Sequence, residues 1–415
     1  MQLAVSFVPA PSPGESGFRG GWLKRVLDVY ETDFSPSRIV PMEGLRGWAV
    51  LLVFFVHFHG VFSRYLSSNS GLFHVSEFLG TVGGTGVDLF FVISGYLIYS
   101  VVIRRKFAYG RFLVRRVQRI YPTFLCVFAL YILIGWITHD ENFRFHGTFA
   151  SQTISMVQNV FFLPGIFHIP AFITVAWSLS YEFFFYLVLP ILVAVTGMRL
   201  WNSSTRAWCV LTVAMISLLV SPLLLPHTHS RIRLVGFLFG IVLFEVADRF
   251  RRRPSLLVEA TAIGAYACGL GLIFAFHTME SAPGEPLFPL GAGLAGMSAF
   301  AFCGFCFHGS GVLRWLFSWR PLRALGNMSY SFYLIHGLAV GMVGRVAARL
   351  VSAGHHPVVF AWGLLLAFAA AWAASTLLFT AVEKPLSIQI RRVPARASSL
   401  ATAMRASAEP GLSST

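Results

Sequence analysis

The stretch from Gly44 to Gly60, GLRGWAVLLVFFVHFHG, decides the fold class and points to the chemistry. It is an apolar run long enough to enter a membrane as a helix, with Arg46 near its start and His57 eleven residues later. At about 100° per residue the two side chains return to one helical face, about 16 Å apart along the axis. The run therefore aligns a cation at the membrane surface with an imidazole near the middle of the bilayer.

Two interpretations of this pair are open on the sequence. Ionisable groups at membrane depth are costly and usually functional, which favours a site. In the alternative, Arg46 anchors the helix at the interface and His57 is a hydrogen-bonded core histidine. For a functional role we favour His57 over His59, because His59 lies about 200° further round the helix and off the face of Arg46.

The composition indicates a membrane protein. Of 415 residues, 56% are hydrophobic and 12% are charged, whereas a soluble domain carries about 25% charged residues. The five cysteines all lie within apolar runs, which predicts buried thiols and no disulfide framework. The histidines form no HExxH or similar pattern, so we predict no metal.

Ten apolar segments follow from Gly44 onward, each near the length of about 20 residues that a helix needs to cross a bilayer. Their approximate limits are 44–63, 84–103, 117–137, 173–196, 207–225, 232–248, 255–276, 287–308, 325–347 and 358–382. They predict an all-α, polytopic membrane protein with about ten transmembrane helices. We expect a partly disordered cytoplasmic leader at 1–42, a membrane domain at 43–386 and a disordered cytoplasmic tail at 387–415.

The basic residues set the predicted orientation. With the N-terminus in the cytoplasm, 26 of the 32 lysines and arginines fall on the cytoplasmic side, as the positive-inside rule requires. Both termini are then cytoplasmic, and the expected location is the inner (plasma) membrane. The net charge of +15 follows from this topology, so it gives no reason to expect nucleic-acid binding.

A dense basic cluster precedes the third span, in the run RFLVRRVQRIYP from Arg111 to Pro122. Arg116 and Arg119 lie at i and i+3, on one face of a helix. Two guanidiniums so placed form a fork suited to phosphate oxygens, and Tyr121 closes the cluster. The alternative is that these arginines anchor the helix to anionic lipid head groups.

Two carboxylates lie inside apolar spans. Asp88 is part of VDLFFVISGYLI in the second span, where a partly hydrated carboxylate and a structural hydrogen-bond acceptor are both open. Glu182 lies well within the fourth span, in AWSLSYEFFFYL. It is expected to orient a histidine, to pair with an arginine, or only to bond between helices.

The ninth span begins GNMSYSFYLIHG, with Tyr330, Tyr333 and His336 at threefold spacing. These three side chains drift only about 60° per step and line one broad side of the helix. After the last span, Glu383 belongs to an EKP sequence that is expected to cap it on the inside.

An interrupted apolar stretch lies between residues 157 and 172, where Pro164, Gly165 and Pro170 break any helix. It is expected to be an interfacial or re-entrant segment sheltered by protein, of the kind that often covers a site. An ordinary aromatic belt is the alternative.

Taken together, these stretches resemble the acyltransferase-3 family of integral membrane acyltransferases, which modify cell-surface and secreted glycans and some other acceptors. The resemblance runs from about Met42 to about Pro385. It rests on five motifs in the family's order: the arginine, ten residues, histidine pattern of the first span, VDLFFVISGYLI, RVQRIYP, WSLSYEFFFY, and SYSFYLIHG followed by EKP. The family's core of ten helices agrees with the ten segments counted above.

The resemblance implies transfer of an acyl group, usually acetyl from acetyl-CoA on the cytoplasmic side, to a hydroxyl of an acceptor on the far side. It makes His57 the catalytic residue, as general base or transient acyl carrier. Arg46 supports His57 or the donor, and Glu182 matches the family's acidic position in the fourth helix.

The remaining expected contacts divide between donor and acceptor. Arg116 and Arg119 match the family's second arginine motif and, with Tyr121, are expected to bind acetyl-CoA. Substrate binding is expected of Asp88, Tyr330, Tyr333 and His336. The acceptor is a glycan, glycolipid or other hydroxyl-bearing molecule. With no fused esterase-like domain, the chain resembles the stand-alone membrane form, for which a separate polysaccharide-assembly protein is an expected partner.

Two other classes of function stay open. In a secondary transporter of a small anionic molecule, His57, Glu182 and Asp88 would relay protons and the arginines would bind the substrate. The sequence shows no internal repeat of the kind such transporters carry, which counts against this class. The third class is a catalytically silent scaffold for an envelope-polysaccharide machine.

Overall fold

The computed structural model describes residues 27–31, 39–104, 107–138, 147–167, 169–224, 233–247, 256–279, 287–308 and 311–389. Most of the leader and all of the tail beyond 389 lie outside these ranges, so the domain limits stay predictions. Several of the basic residues counted for the orientation also lie outside them. The regular structure within the ranges is helical, apart from an isolated bridge between Pro164 and Phe167.

Fourteen α-helices follow one another in the described ranges. They are α1 (Val40–Phe62), α2 (Gly71–Val82), α3 (Thr85–Val102), α4 (Tyr109–Thr138), α5 (Phe149–Val160), α6 (Trp177–Val195), α7 (Ser203–Leu224), α8 (Val235–Val246), α9 (Leu256–Met279), α10 (Leu287–His308), α11 (Val312–Phe317), α12 (Arg320–Asn327), α13 (Ser329–Leu350) and α14 (Pro357–Leu378). A π-helix, Phe379–Gln389, continues α14.

Each of the ten predicted spans coincides with one of these helices. In the described part of the chain, eight helical stretches are long and apolar enough to cross a membrane, and two apolar helices, Val235–Val246 and Gly293–Phe307, are shorter. The prediction of an all-α, polytopic membrane protein is confirmed. A 12-residue helix such as α8 is about 18 Å long, less than the hydrocarbon core of about 30 Å.

Helix α2 was not predicted. It begins after Ser70, whose hydroxyl accepts a hydrogen bond from the backbone N–H of Phe73 at 3.2 Å, a normal N-cap arrangement. It leads almost directly into α3 and packs on the C-terminal half of α1, where His59 Nδ1 lies 2.9 Å from Ser76 Oγ. His59 thus connects two helices and points away from the Arg46 face.

The predicted break between residues 157 and 172 is present. Helix α5 ends at Val160, and the chain turns through Phe162, with φ of 56°, and Gly165, with φ of 89°. Phe162 is buried, with its ring against Tyr121 and Phe124. Protein therefore shelters this turn on the side of α4.

Helix α1 lies at the centre of the fold, in contact with α3, α12 and α13. A small residue lets α3 approach it closely, since a methyl group added at Gly86 would collide with the carbonyl oxygen of Ala49. Close backbone approach of this kind is typical of helix packing in membranes. The close contact at Gly86 holds α1, which carries Arg46 and His57, against α3.

Candidate functional site

A cavity of about 120 Å³ lies where α1, α3, α4, α6 and α13 meet. Its wall carries three arginines, one glutamate and three tyrosines. Six of the residues predicted for the site line it: Arg46, Arg116, Arg119, Glu182, Tyr330 and Tyr333. These residues come from four different helices, so the structure brings together side chains that the sequence places far apart.

Two of the three arginines present unused hydrogen-bond donors. Arg46 makes no hydrogen bond or ion pair with any residue that the structure describes. The guanidinium carbon of Arg116 lies 5.0 Å from the ring centroids of both Phe112 and Tyr186, so the rings flank the cation. Such cation–π contacts fix the plane of the guanidinium. Its N–H groups stay available to an anion.

The third arginine, Arg119, is paired with an acid. Its Nη2 atom lies 3.9 Å from Oε1 of Glu383. Glu383 is fully buried, and its Oε2 atom accepts hydrogen bonds from the backbone N–H and the hydroxyl of Ser331, at 3.2 and 2.6 Å. The sequence indicated only a helix cap at Glu383, whereas the structure places this carboxylate directly behind the arginines.

Glu182 lies on the cavity wall and joins two helices. Its Oε1 atom accepts hydrogen bonds from Ser94 of α3, at 3.2 Å, and from the hydroxyl of Tyr186, one turn further along α6. Bonding between helices was one of the three roles open for this residue. A catalytic role for Glu182 stays a prediction.

The hydroxyls of Tyr330 and Tyr333, two of the three tyrosines on the cavity wall, bond to protein. Tyr330 donates to the carbonyl oxygen of Ile120 at 2.9 Å. The hydroxyl of Tyr333 lies 2.8 Å from that of Ser178 and 3.1 Å from the carbonyl oxygen of Val175. The Tyr333 hydroxyl therefore joins α13 to the start of α6 beside the cavity.

His57 lies beyond Tyr333 and does not line the cavity. Its ring centroid is 5.0 Å from that of His336, and the His336 centroid is 6.0 Å from that of Tyr333. The rings of Tyr333 and His336 thus connect the cavity to His57. Arg46 and His57 share one helix, as predicted, with the arginine at the cavity and the histidine about 16 Å further along the axis.

Two predicted site residues lie elsewhere. Tyr121 does not line the cavity; its hydroxyl donates to the carbonyl oxygen of Val160 at 3.1 Å, which holds the turn after α5. Asp88 is buried, and its Oδ2 atom is 2.7 Å from Nη1 of Arg233. Arg233 also donates to the carbonyl oxygen of Gly84 at 3.0 Å, so this ion pair joins the start of α3 to the start of α8.

Replacing Asp88 with asparagine is expected to destabilise the protein without weakening substrate binding. The change leaves the largely buried Arg233 without its carboxylate, which we expect to lower the free energy of unfolding by about 1–3 kcal/mol. Thermal unfolding in detergent measures this. Glu77→Gln is the matched control, because Glu77 pairs with the exposed His74 at 3.6 Å and such surface pairs contribute little. A raised KM with unchanged stability would instead make Asp88 a substrate contact.

A family model described as an acyltransferase domain matches residues 40–379. The chain is also similar to named bacterial proteins. It is 29% identical over 383 residues to YrhL of Bacillus subtilis (strain 168), described as a candidate peptidoglycan O-acetyltransferase, covering 85% of this chain and 55% of that protein.

Two further relatives carry related names. The peptidoglycan O-acetyltransferase OatA of Listeria monocytogenes is 24% identical over 385 residues, covering 86% of this chain and 57% of the relative. The O-acetyltransferase OatA of Staphylococcus aureus (strain NCTC 8325 / PS 47) is 23% identical over 329 residues, covering 74% and 51%. The chain therefore spans about half the length of these relatives. No solved structure matches it.

Proposed function

Because this chain belongs to the acyltransferase-3 family, we propose that it transfers an acetyl group from acetyl-CoA to a hydroxyl of a cell-wall glycan. One observation carries the proposal. A cavity with two guanidiniums that make no hydrogen bond or ion pair to the described residues lies at one end of the helix whose other end carries His57. That arrangement suits an anionic donor on one side of a membrane and an acceptor on the other.

The donor fits the arginine side. Coenzyme A carries several phosphates, for which charge-assisted bonds from arginine are well suited. A second cavity of about 300 Å³ adjoins the first through Arg116 and is lined also by Arg111 and Arg115. In the predicted orientation, which the basic residues at the start of α4 support, both cavities face the cytoplasm. Phosphates held at this end would let the pantetheine arm carry the thioester inward.

The acceptor reacts at the His57 side. In the proposed reaction the acceptor hydroxyl gives its proton to His57, its oxygen forms a bond to the thioester carbon, and the carbon–sulfur bond breaks. The leaving thiolate then takes the proton from His57, so no net proton is gained or lost. In the variant route, a ring nitrogen of His57 bonds to the thioester carbon and the thiolate leaves as the carbon–sulfur bond breaks. The acceptor oxygen then bonds to that carbon, the carbon–nitrogen bond breaks, and the hydroxyl proton goes to the thiolate.

The acceptor class is supported by the relatives' names. Two of them are named for peptidoglycan O-acetylation, which supports a hydroxyl of a cell-wall glycan. We place the protein in the plasma membrane with both described ends of the bundle core, the start of α1 and the end of α14, facing the cytoplasm. A polysaccharide-assembly protein that presents the glycan is an expected partner.

The test uses the purified chain in lipid nanodiscs with acetyl-CoA and soluble peptidoglycan fragments. We expect release of the coenzyme A thiol that depends on the fragments, together with fragments heavier by one acetyl unit. Acetyl-CoA that stays intact in the presence of fragments would contradict the proposal. Uptake of an anion by vesicles carrying the protein, with no acetylated product, would favour the secondary transporter instead.

A further inference from the structure

His336 is a buried histidine in which one ring nitrogen is hydrogen-bonded and the other is not. Its ring is fully buried, and Nδ1 lies 3.0 and 2.8 Å from the carbonyl oxygens of Phe332 and Tyr333 on its own helix. Carbonyl oxygens only accept, so Nδ1 carries the hydrogen and, in a neutral imidazole, Nε2 is an acceptor. Among the described residues Nε2 has no hydrogen-bond partner.

An uncommitted nitrogen is unusual for a residue that only fills the core. Buried polar atoms nearly always find a partner, because an unmet one costs free energy. Phe332 stacks on the His336 ring, with centroids 5.8 Å apart and planes at 9°, so the ring cannot turn freely. The committed Nδ1 faces the α13 backbone, which leaves Nε2 at the far edge of the ring.

His57 of α1 lies beside the His336 ring. The two imidazoles form a T-shaped pair, with centroids 5.0 Å apart and planes at 68°. No hydrogen bond joins the two rings, and His57 itself has no hydrogen-bond partner in the described part of the chain. At this separation, rotation of the His57 side chain would bring the N–H of its neutral imidazole to His336 Nε2.

We propose that His336 is a positioning residue for His57, with Nε2 accepting one N–H of the His57 imidazole. The inference rests on the proposed function, in which His57 is catalytic. With one nitrogen of His57 so held, the other keeps its lone pair toward the hydroxyl or the acyl group. This is the role that an orienting group plays for the histidine of a nucleophile–base pair. Substrate binding, the role predicted for His336 from the sequence, is the alternative.

The proton balance of the transfer is unchanged by this contact. The hydroxyl proton moves to the free nitrogen of His57, which becomes an imidazolium with two N–H groups. One of them stays bonded to His336 Nε2, which stabilises the cation, and the other is returned to the leaving thiolate. His336 itself forms and breaks no covalent bond.

Two substitutions separate the acceptor atom from the packing of the ring. His336→Phe keeps a flat apolar ring and removes the acceptor, and we expect kcat to fall about 10- to 100-fold with the KM for acetyl-CoA unchanged. His336→Gln keeps an acceptor near the Nε2 position and is expected to recover most of that loss. The melting temperature of each purified variant reports its folding, and His59→Gln is the control for loss of a nearby histidine.

The double variant of His57 and His336 completes the test. If His336 acts through His57, then His336→Phe lowers the residual rate no further in a His57→Ala background. Equal losses in His336→Phe and His336→Gln, or a raised KM for the glycan with kcat kept, would overturn the inference and favour substrate contact. Full activity of His57→Ala would refute the catalytic role of His57 on which this inference rests, and intact acetyl-CoA with the unaltered protein would refute the proposed function. A dead His57→Ala beside a fully active His336→Phe would refute only the role of His336.

Discussion

Replacing His57 with alanine is expected to lower the rate of acetyl transfer by about 10²- to 10⁴-fold, the usual contribution of a positioned general base. Because His57 does not line the arginine cavity, the KM for acetyl-CoA should change little. The measurement is kcat and KM for the purified protein with acetyl-CoA and peptidoglycan fragments.

His59→Ala is the matched control for this change. His59 lies two residues further along α1, but its ring bonds to Ser76 and connects α1 to α2. The His59→Ala change should lower the melting temperature somewhat and leave kcat close to that of the unaltered protein. A His57→Ala protein that transfers acetyl at an undiminished rate would show that His57 is the core histidine of the alternative interpretation.

Replacing Arg46 with glutamine is expected to raise the KM for acetyl-CoA about 10- to 100-fold. A hydrogen bond to a charged group is worth about 1.5–3 kcal/mol, and each 1.4 kcal/mol is tenfold in affinity. Arg46 forms no ion pair with the described side chains, so its replacement breaks none and the fold should persist. Steady-state kinetics and binding of acetyl-CoA to the purified variant both report the loss.

The control is Arg349→Gln, in the exposed last turn of α13. It removes the same charge from the same bundle at a position away from the cavity, and no change in KM is expected. If Arg46→Gln instead keeps its KM and loses stability, Arg46 is the interfacial anchor that the sequence left open.

The span pattern was predictable because each membrane helix must be apolar over its own length. Helix α2 was missed because its sequence, GLFHVSEFLGTV, is short and carries His74 and Glu77 among apolar residues, which is the pattern of a surface helix. The shared face of Arg46 and His57 was predictable for the same local reason, since both lie on one helix.

The assembly of the site was not predictable from a single sequence, because it depends on which helices meet. The spacing of Asp88 in its span gave no sign that Arg233 would be its partner. Glu383 reaches Arg119 from a π-helix, a geometry that has no simple sequence signature. The hydroxyl of Tyr121 could equally have served the arginine cluster, and only the turn after α5 shows that it bonds to Val160.

We propose that this chain acetylates a cell-wall glycan through His57. Its most direct test is mass spectrometry of cell-wall and secreted glycans from cells that carry the intact gene, a deletion or the His57→Ala variant. We expect glycans with an added acetyl unit in cells that carry the intact gene. This acetyl unit should be absent from the deletion strain and from the His57→Ala strain. Glycans that keep this acetyl unit in the His57→Ala strain but lose it in the deletion would contradict the account.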